Sequence, residues 1–96
     1  MAHEFTLTRR VEFADTDMAG IAHFTALMRY MEETEHAFYR SLGFSVHEHL
    51  GHEIRGFPRL EASCNFFAPL WFEDEVQVQL LVKRKQVKTI EYVFNF

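Results

Sequence analysis

The sequence predicts an α+β fold in which an antiparallel sheet wraps around one long helix. An apolar stripe of helical period between about Phe24 and Leu42 supplies the helix, and segments of period two on either side of it supply the strands. With 96 residues the chain supports one domain, residues 1–96, and one hydrophobic core.

Each element follows from its own residues. Phe5, Leu7, Val11 and Phe13 alternate with Thr6, Thr8, Arg10 and Glu12, so this stretch reads as a half-buried strand with Arg9 alone out of pattern. It runs into Ala14-Asp15-Thr16-Asp17, where small and turn-forming residues end the pairing, and Gly20 then allows a tight bend. In the helix, Phe24, Leu27, Met28, Met31, Phe38 and Leu42 are expected on the buried face. Arg29, Glu32, Glu33, His36 and Arg40 point elsewhere, and Gly43 supplies the stop.

Ser45 to Gly56 is polar and rich in His and Gly and is expected to be a loop with one short helical turn, closed by Phe57-Pro58. Three more strands are expected at about Arg59 to Phe67, Glu75 to Lys83 and Val87 to Phe96. Val76, Val78, Leu80 and Val82 mark an inward face, as do Ile90, Tyr92, Phe94 and Phe96, and Lys83-Arg84-Lys85-Gln86 forms the hairpin between these two strands. The apolar run Tyr92-Val93-Phe94-Asn95-Phe96 carries no turn signal and invites pairing with a strand from elsewhere.

Composition narrows the function classes. The net charge of −4 is mild and its signs are interspersed, which argues against nucleic acid as the main partner. Cys64 is the sole cysteine, so no intrachain disulfide is possible, and no segment approaches a membrane span; a cytoplasmic protein without membrane insertion is expected. Eleven Phe, Trp71 and three Tyr are many for this length, so part of the aromatic surface is expected to face a partner subunit or an acyl ligand.

The chemistry concentrates at Asp15-Thr16-Asp17-Met18-Ala19-Gly20, immediately before the helix. A carboxylate there lies beside backbone N–H groups and the positive end of the helix dipole, a pairing suited to attack on a carbonyl. Taken alone, Asp17 also fits an ordinary turn or cap residue, and Asp15 reads as the residue that holds the turn. His47, Glu48, His49 and His52 suggest a metal, but a His-Glu-x-x-His pattern would need histidine where Gly51 stands, so no metal is expected. Cys64 alternates with Leu60, Ala62 and Phe66 and reads as packing. Lys83, Arg84 and Lys85 offer cations for phosphates, against the plainer reading of a solvated hairpin tip.

Val11-Glu12-Phe13-Ala14-Asp15-Thr16-Asp17-Met18-Ala19-Gly20-Ile21, with Arg29-Tyr30-Met31-Glu32 and Phe38-Tyr39-Arg40-Ser41-Leu42-Gly43, closely resembles the hotdog-fold acyl-CoA thioesterases of the 4-hydroxybenzoyl-CoA thioesterase type. Phe67-Ala68-Pro69-Leu70-Trp71-Phe72-Glu73-Asp74 is similar to that family's turn before a strand. The resemblance implies a hotdog fold without the family's last strand or strands, a homodimer or homotetramer, and hydrolysis of an acyl-CoA with no cofactor. It also implies that Asp17 is the catalytic carboxylate, acting as nucleophile or as general base, and that the amide donor to the thioester oxygen lies near Phe24. Substrate contacts are then expected from Gly20, His23, Phe24, Ser63, Asn65, Lys83, Arg84 and Lys85. Relatives carry a Tyr-His or similar pair just before the helix where this chain reads Ala22-His23-Phe24-Thr25, so His23 is expected to bind or orient substrate rather than to match a family role. A non-catalytic module that binds acyl-CoA or an acyl carrier is the alternative reading, and a self-associating structural fragment a third.

Overall fold

The computed structural model describes residues 4–43, 47–50, 53–56, 61–65, 68–85 and 90–96. Its elements in chain order are β1 (Glu4–Arg10), a 3-10 turn (Phe13–Asp15), α1 (Phe24–Ser41), β2 (His47–Leu50), β3 (Glu53–Gly56), β4 (Glu75–Lys85) and β5 (Ile90–Asn95). β1, β4 and β5 form an antiparallel sheet in the order β1-β4-β5, with α1 against it. β4 is therefore central and carries the most deeply buried strand residues: Val78 and Leu80 are fully buried and Val76 nearly so.

The register explains which aromatic residues close the core. Leu80 lies opposite Phe5 on one side and Phe94 on the other, and Leu7 faces Val78. Phe5 meets Phe38 of α1 with ring centroids 5.8 Å apart, and the Tyr39 hydroxyl is hydrogen-bonded to that of Tyr92 on β5. A second cluster joins Val11, Ala26, Tyr30, Val76 and Val78 near the start of the helix, with Ala22, Leu27, Leu70 and Phe94 packed on it. Between Val82 and Arg84 the pairing with β5 slips by one residue as a β-bulge.

Five expectations change. The helix buries Ala26, Tyr30, Thr34, Glu35, Phe38 and Tyr39, whereas Leu27, Met28 and Met31 are half-buried and Phe24 and Leu42 are exposed. The expected stripe did not include Tyr30 or Thr34. Tyr30 and Thr34 can turn inward because each hydroxyl finds an acceptor, Asp15 for the first and the Tyr30 carbonyl for the second. Arg9, read as out of pattern, continues the inward face of β1: Phe5, Leu7 and Arg9 are half-buried while their neighbours are exposed.

The segment expected as a loop contains β2 and β3, an antiparallel pair in register from His47↔Gly56 to Leu50↔Glu53. Backbone pairing across a short connection does not need an apolar composition, so polarity was a poor guide there. Of the strand expected at Arg59 to Phe67, residues 61–65 carry no regular structure. Nothing among the described residues pairs with them, and alternation makes a strand only where a neighbour completes the ladder; the rest of that stretch lies outside the described residues. β4 runs on through Lys83, Arg84 and Lys85, which are strand rather than hairpin tip, with Arg84 opposite Glu91 and Lys85 opposite Ile90. Gln86 and residues 87–89 lie outside the described residues. The stop at Gly43 is as expected, with φ of +93° just past the helix end. Among the described residues no helix is long and apolar enough to cross a membrane.

Leu80→Ala is expected to destabilise the protein by about 3 kcal/mol, because the cavity would open between two strands and the helix. Val93→Ala, on the exposed face of β5, is expected to cost less than about 1 kcal/mol. Urea unfolding of both variants checks this, and equal losses would contradict the assignment of β4 as the core strand.

Candidate functional site

The site is built from the chain between β1 and α1. After β1, Val11 is fully buried and tied to the turn that precedes β4: its N–H donates to the Asp74 carbonyl and its own carbonyl accepts from Glu73 N–H, both at 2.9 Å. Trp71 N–H donates to Asp74 Oδ2 at 2.8 Å within that turn, where Glu73 adopts φ of +70°.

Residues 15–23 then close on themselves as a miniature hairpin. His23 N–H donates to the Asp15 carbonyl at 2.7 Å, Thr16 bridges Ala22, Asp17 N–H donates to the Ile21 carbonyl at 3.0 Å, and Gly20 N–H returns to the Asp17 carbonyl at 3.0 Å. Gly20 sits at the tip with φ of +81°, a conformation in which a side chain is strained even though no atom obstructs it. A bond from Ala22 N–H to the Leu70 carbonyl at 2.7 Å holds the hairpin against the segment before β4.

Asp17 thus stands at the start of a tight turn, exposed at the edge of a groove of about 510 Å³. The groove is walled by Ile21, Ala22, His23 and Phe24 from the hairpin and helix entrance, by Leu27 of α1, and by Ala68, Pro69 and Leu70 opposite. Asp17 Oδ1 accepts from Ala19 N–H at 2.8 Å, which orients the carboxylate; Oδ2 has no partner among the described residues. A carboxylate held through one oxygen and open at the other can take a proton from water or attack an electrophile.

His23 is the N-cap of α1. Its Nδ1 accepts from Thr25 N–H at 3.3 Å and lies 2.8 Å from Thr25 Oγ1. Since the amide can only donate, Nδ1 carries no proton, the threonine hydroxyl donates to it, and the ring proton sits on Nε2. The ring stacks at 4.4 Å on Phe24, the first residue of the helix. The His23 amide is engaged by the Asp15 carbonyl, and Phe24 lines the groove at the start of the helix.

Other expected site residues fall elsewhere. Ser63 and Asn65 are exposed and do not line the groove. Lys83, Arg84 and Lys85 occupy the far end of β4, with Lys83 Nζ 3.7 Å from Glu91. Lys83 is eight residues beyond Glu75, about 26 Å of strand from the groove end of the sheet, so one subunit does not bring the basic triplet to Asp17. Glu32, expected to point away from the core, is exposed, and Glu33 is paired to Arg9 at 2.7 Å. The Cys64 thiol is half-buried and pushed up by that burial, as befits packing. No cluster of metal-ligating side chains occurs among the described residues.

Sequence reasoning missed the charged network beneath the site. Asp15, only 2% exposed, accepts from Tyr30 Oη at 2.7 Å, from Arg29 at 2.6 Å and from Glu12 N–H at 2.9 Å. Arg9 lies 4.8 Å over the Tyr30 ring and 3.8 Å from Asp15, and its bond to Glu33 raises its affinity for its proton. Burial pushes the Asp15 carboxyl up, but the Tyr30 hydroxyl, Arg29 and the Glu12 amide outweigh it and bring the group down to about 2. Burial and the bond to Asp15 hold the Tyr30 hydroxyl above its usual range, so it stays a donor. The one signal in the sequence was Arg9, a cation standing where the strand's alternation required an inward residue.

Comparison with known proteins places this geometry. Residues 19–96 match the family model described as the thioesterase superfamily. A protein of Aquifex aeolicus, provisionally named an esterase, is 38% identical over 96% of this chain and 70% of its own length. A 1,4-dihydroxy-2-naphthoyl-CoA hydrolase of Prochlorococcus marinus is 30% identical over 94% of this chain, which spans 63% of that relative. Among solved structures, a gentisyl-coenzyme A thioesterase superposes with a TM-score of 0.66 at 32% identity, over 94% of this chain and 74% of its own.

The sign of the Asp15 effect sets a pH dependence. Its carboxyl is lower in the folded state, about 2 against an ordinary 3.8, so its stabilisation is complete above about pH 5 and is lost as pH falls towards 2. Through this group the protein is expected to lose about 2 kcal/mol across that window. Asp15→Asn is expected to be about 3 kcal/mol less stable at pH 7 and to lack this component of the acid loss. Urea unfolding of both proteins from pH 7 to pH 2.5 checks it; parallel losses in the two would refute the assignment.

Proposed function

Because the chain belongs to the thioesterase superfamily, we propose that it hydrolyses an acyl-CoA thioester to a carboxylic acid and coenzyme A, with Asp17 as the catalytic carboxylate. The observation that carries this reading is the placement of Asp17: exposed on a groove, fixed through one oxygen, beside the first turn of α1. A thioester carbonyl is already electrophilic, so a base or nucleophile and a donor to the developing oxyanion are the two parts the reaction needs.

As general base, Asp17 takes a proton from a water that attacks the carbonyl carbon. As nucleophile it adds to that carbon, expels the coenzyme A thiolate and leaves a mixed anhydride for water to open. In both routes Phe24 N–H receives the oxyanion at the positive end of the helix dipole. His23 and Gly20 serve substrate binding, His23 through its capped ring and Gly20 by letting the chain turn closely under the substrate. Ser63 and Asn65 take no part in these steps.

The walls Ile21, Ala22, Phe24, Leu27, Pro69 and Leu70 suit an apolar acyl group. The named substrates of the relatives, 1,4-dihydroxy-2-naphthoyl-CoA and gentisyl-CoA, both carry aromatic acyl groups. An aromatic acyl-CoA is therefore the proposed substrate class. Lys83, Arg84 and Lys85 meet the coenzyme's phosphates only from a second subunit, in the homodimer or homotetramer that goes with this reading.

A thiol-release assay on a panel of aromatic and straight-chain acyl-CoAs tests the proposal. Turnover is expected to be highest with aromatic acyl groups, and Asp17→Asn is expected to lower kcat/KM by about 100-fold or more. Activity of the variant near that of the parent would remove Asp17 from the mechanism. Saturable binding without thiol release by the parent would instead identify a binding module. A single turnover in ¹⁸O-labelled water detects the anhydride route: label that enters the Asp17 carboxylate comes from water opening the anhydride at the Asp17 carbon.

A further inference from the structure

Asp15 and Asp17 belong to one rigid piece of chain, and that piece is anchored from the helix. The Asp15 carbonyl closes the base of the hairpin through His23 N–H, and its carboxylate is held by Tyr30 Oη at 2.7 Å and Arg29 at 2.6 Å. Two rungs farther on, the bond between Asp17 N–H and Ile21 sets where the Asp17 side chain leaves the backbone. Tyr30 is fully buried and lies on α1 six residues beyond Phe24, so it cannot touch a molecule in the groove. Its hydroxyl nevertheless connects the body of the helix to the strand end that carries Asp17.

We propose that Tyr30 is a positioning residue, whose hydroxyl acts through the Asp15 carboxylate to hold the Asp17 carboxylate at its working distance from the first amides of α1. This rests on the reading of Asp17 as the catalytic carboxylate. A base and an oxyanion donor must be registered to a fraction of an ångström, and they come here from two elements, the hairpin and the helix. The bond from Tyr30 to Asp15 is a direct side-chain tie between them. Phe at position 30 keeps the buried ring and its contact with Arg9, and deletes only the tie.

The test compares Tyr30→Phe, Asp17→Asn and the double variant by steady-state thiol release with an aromatic acyl-CoA, with cooperative thermal unfolding recorded for each. Tyr30→Phe is expected to fold, to lose about tenfold in kcat and to keep KM within about twofold. In the Asp17→Asn background the same change is expected to cost nothing further, because its effect runs through Asp17. An unchanged kcat in Tyr30→Phe overturns the proposal while leaving the role of Asp17 intact, and so does a tenfold loss repeated in the double variant. Parent-like activity of Asp17→Asn overturns the catalytic reading itself and this inference with it. Should Tyr30→Phe fail to unfold cooperatively, Arg29→Gln is read in its place, since Arg29 is half exposed and holds the same carboxylate. A fall in kcat of about threefold at constant KM then supports the proposal, and an unchanged kcat overturns it.

Discussion

One buried carboxylate sets the geometry of this molecule. Asp15 is withdrawn from water where the end of β1, the miniature hairpin and the first turns of α1 converge. An ionised group in that position costs several kcal/mol unless donors replace its hydration. The donors come from three parts of the chain: Glu12 from the cap of the 3-10 turn, Tyr30 and Arg29 from the helix, and Arg9, at longer range, from the strand. Satisfying one charge therefore fixes the mutual placement of the elements that wall the groove. Hydrophobic contact alone is non-directional and would tolerate sliding of helix over sheet; a carboxylate read by separate donors does not.

The rest of the core takes its layout from β4. Because that strand is paired on both edges, its inward residues meet neighbours from β1, β5 and α1 at once, whereas among the described residues β1 and β5 each have a neighbour on one edge only. The gradation in burial follows, from fully buried Leu80 to half-buried Phe5 and Phe94 beside it. The groove lies at the end of the sheet where β4 begins, and the bridge between Ile21 and Trp71 joins the hairpin to the turn that feeds that strand.

Much of this was legible from the residues. Period-two alternation located β1, β4 and β5, helical period and Gly43 located α1, and Asp17, singled out in the turn before the helix, lies on the groove. What was hidden has a common cause: polar side chains act as core residues when a partner is supplied from far along the chain. Tyr30 and Thr34 are absent from the apolar stripe and become core residues only once Asp15 and the local carbonyl accept their hydroxyls. Arg9 read as an interruption for the same reason. The polar β2 and β3 pairing was hidden differently, because backbone ladders leave little trace in composition. Lys83, Arg84 and Lys85 were correctly seen as basic, but their distance from Asp17 depends on how far β4 extends, which charge alone does not reveal.

The bulge at Lys83 has a consequence for what this sequence can tolerate. Val76, Val78, Leu80 and Val82 follow one parity, and continuing it would aim Arg84 toward the helix. The extra residue switches the parity, so Arg84 stands opposite Glu91 on the outer face and both remain hydrated. A regular ladder through the same residues would instead set Arg84 opposite Ile90, so straightening the bulge without shortening the strand would carry a guanidinium under the sheet. What keeps that charge in water is thus an irregularity of the backbone rather than the identity of any one surface side chain.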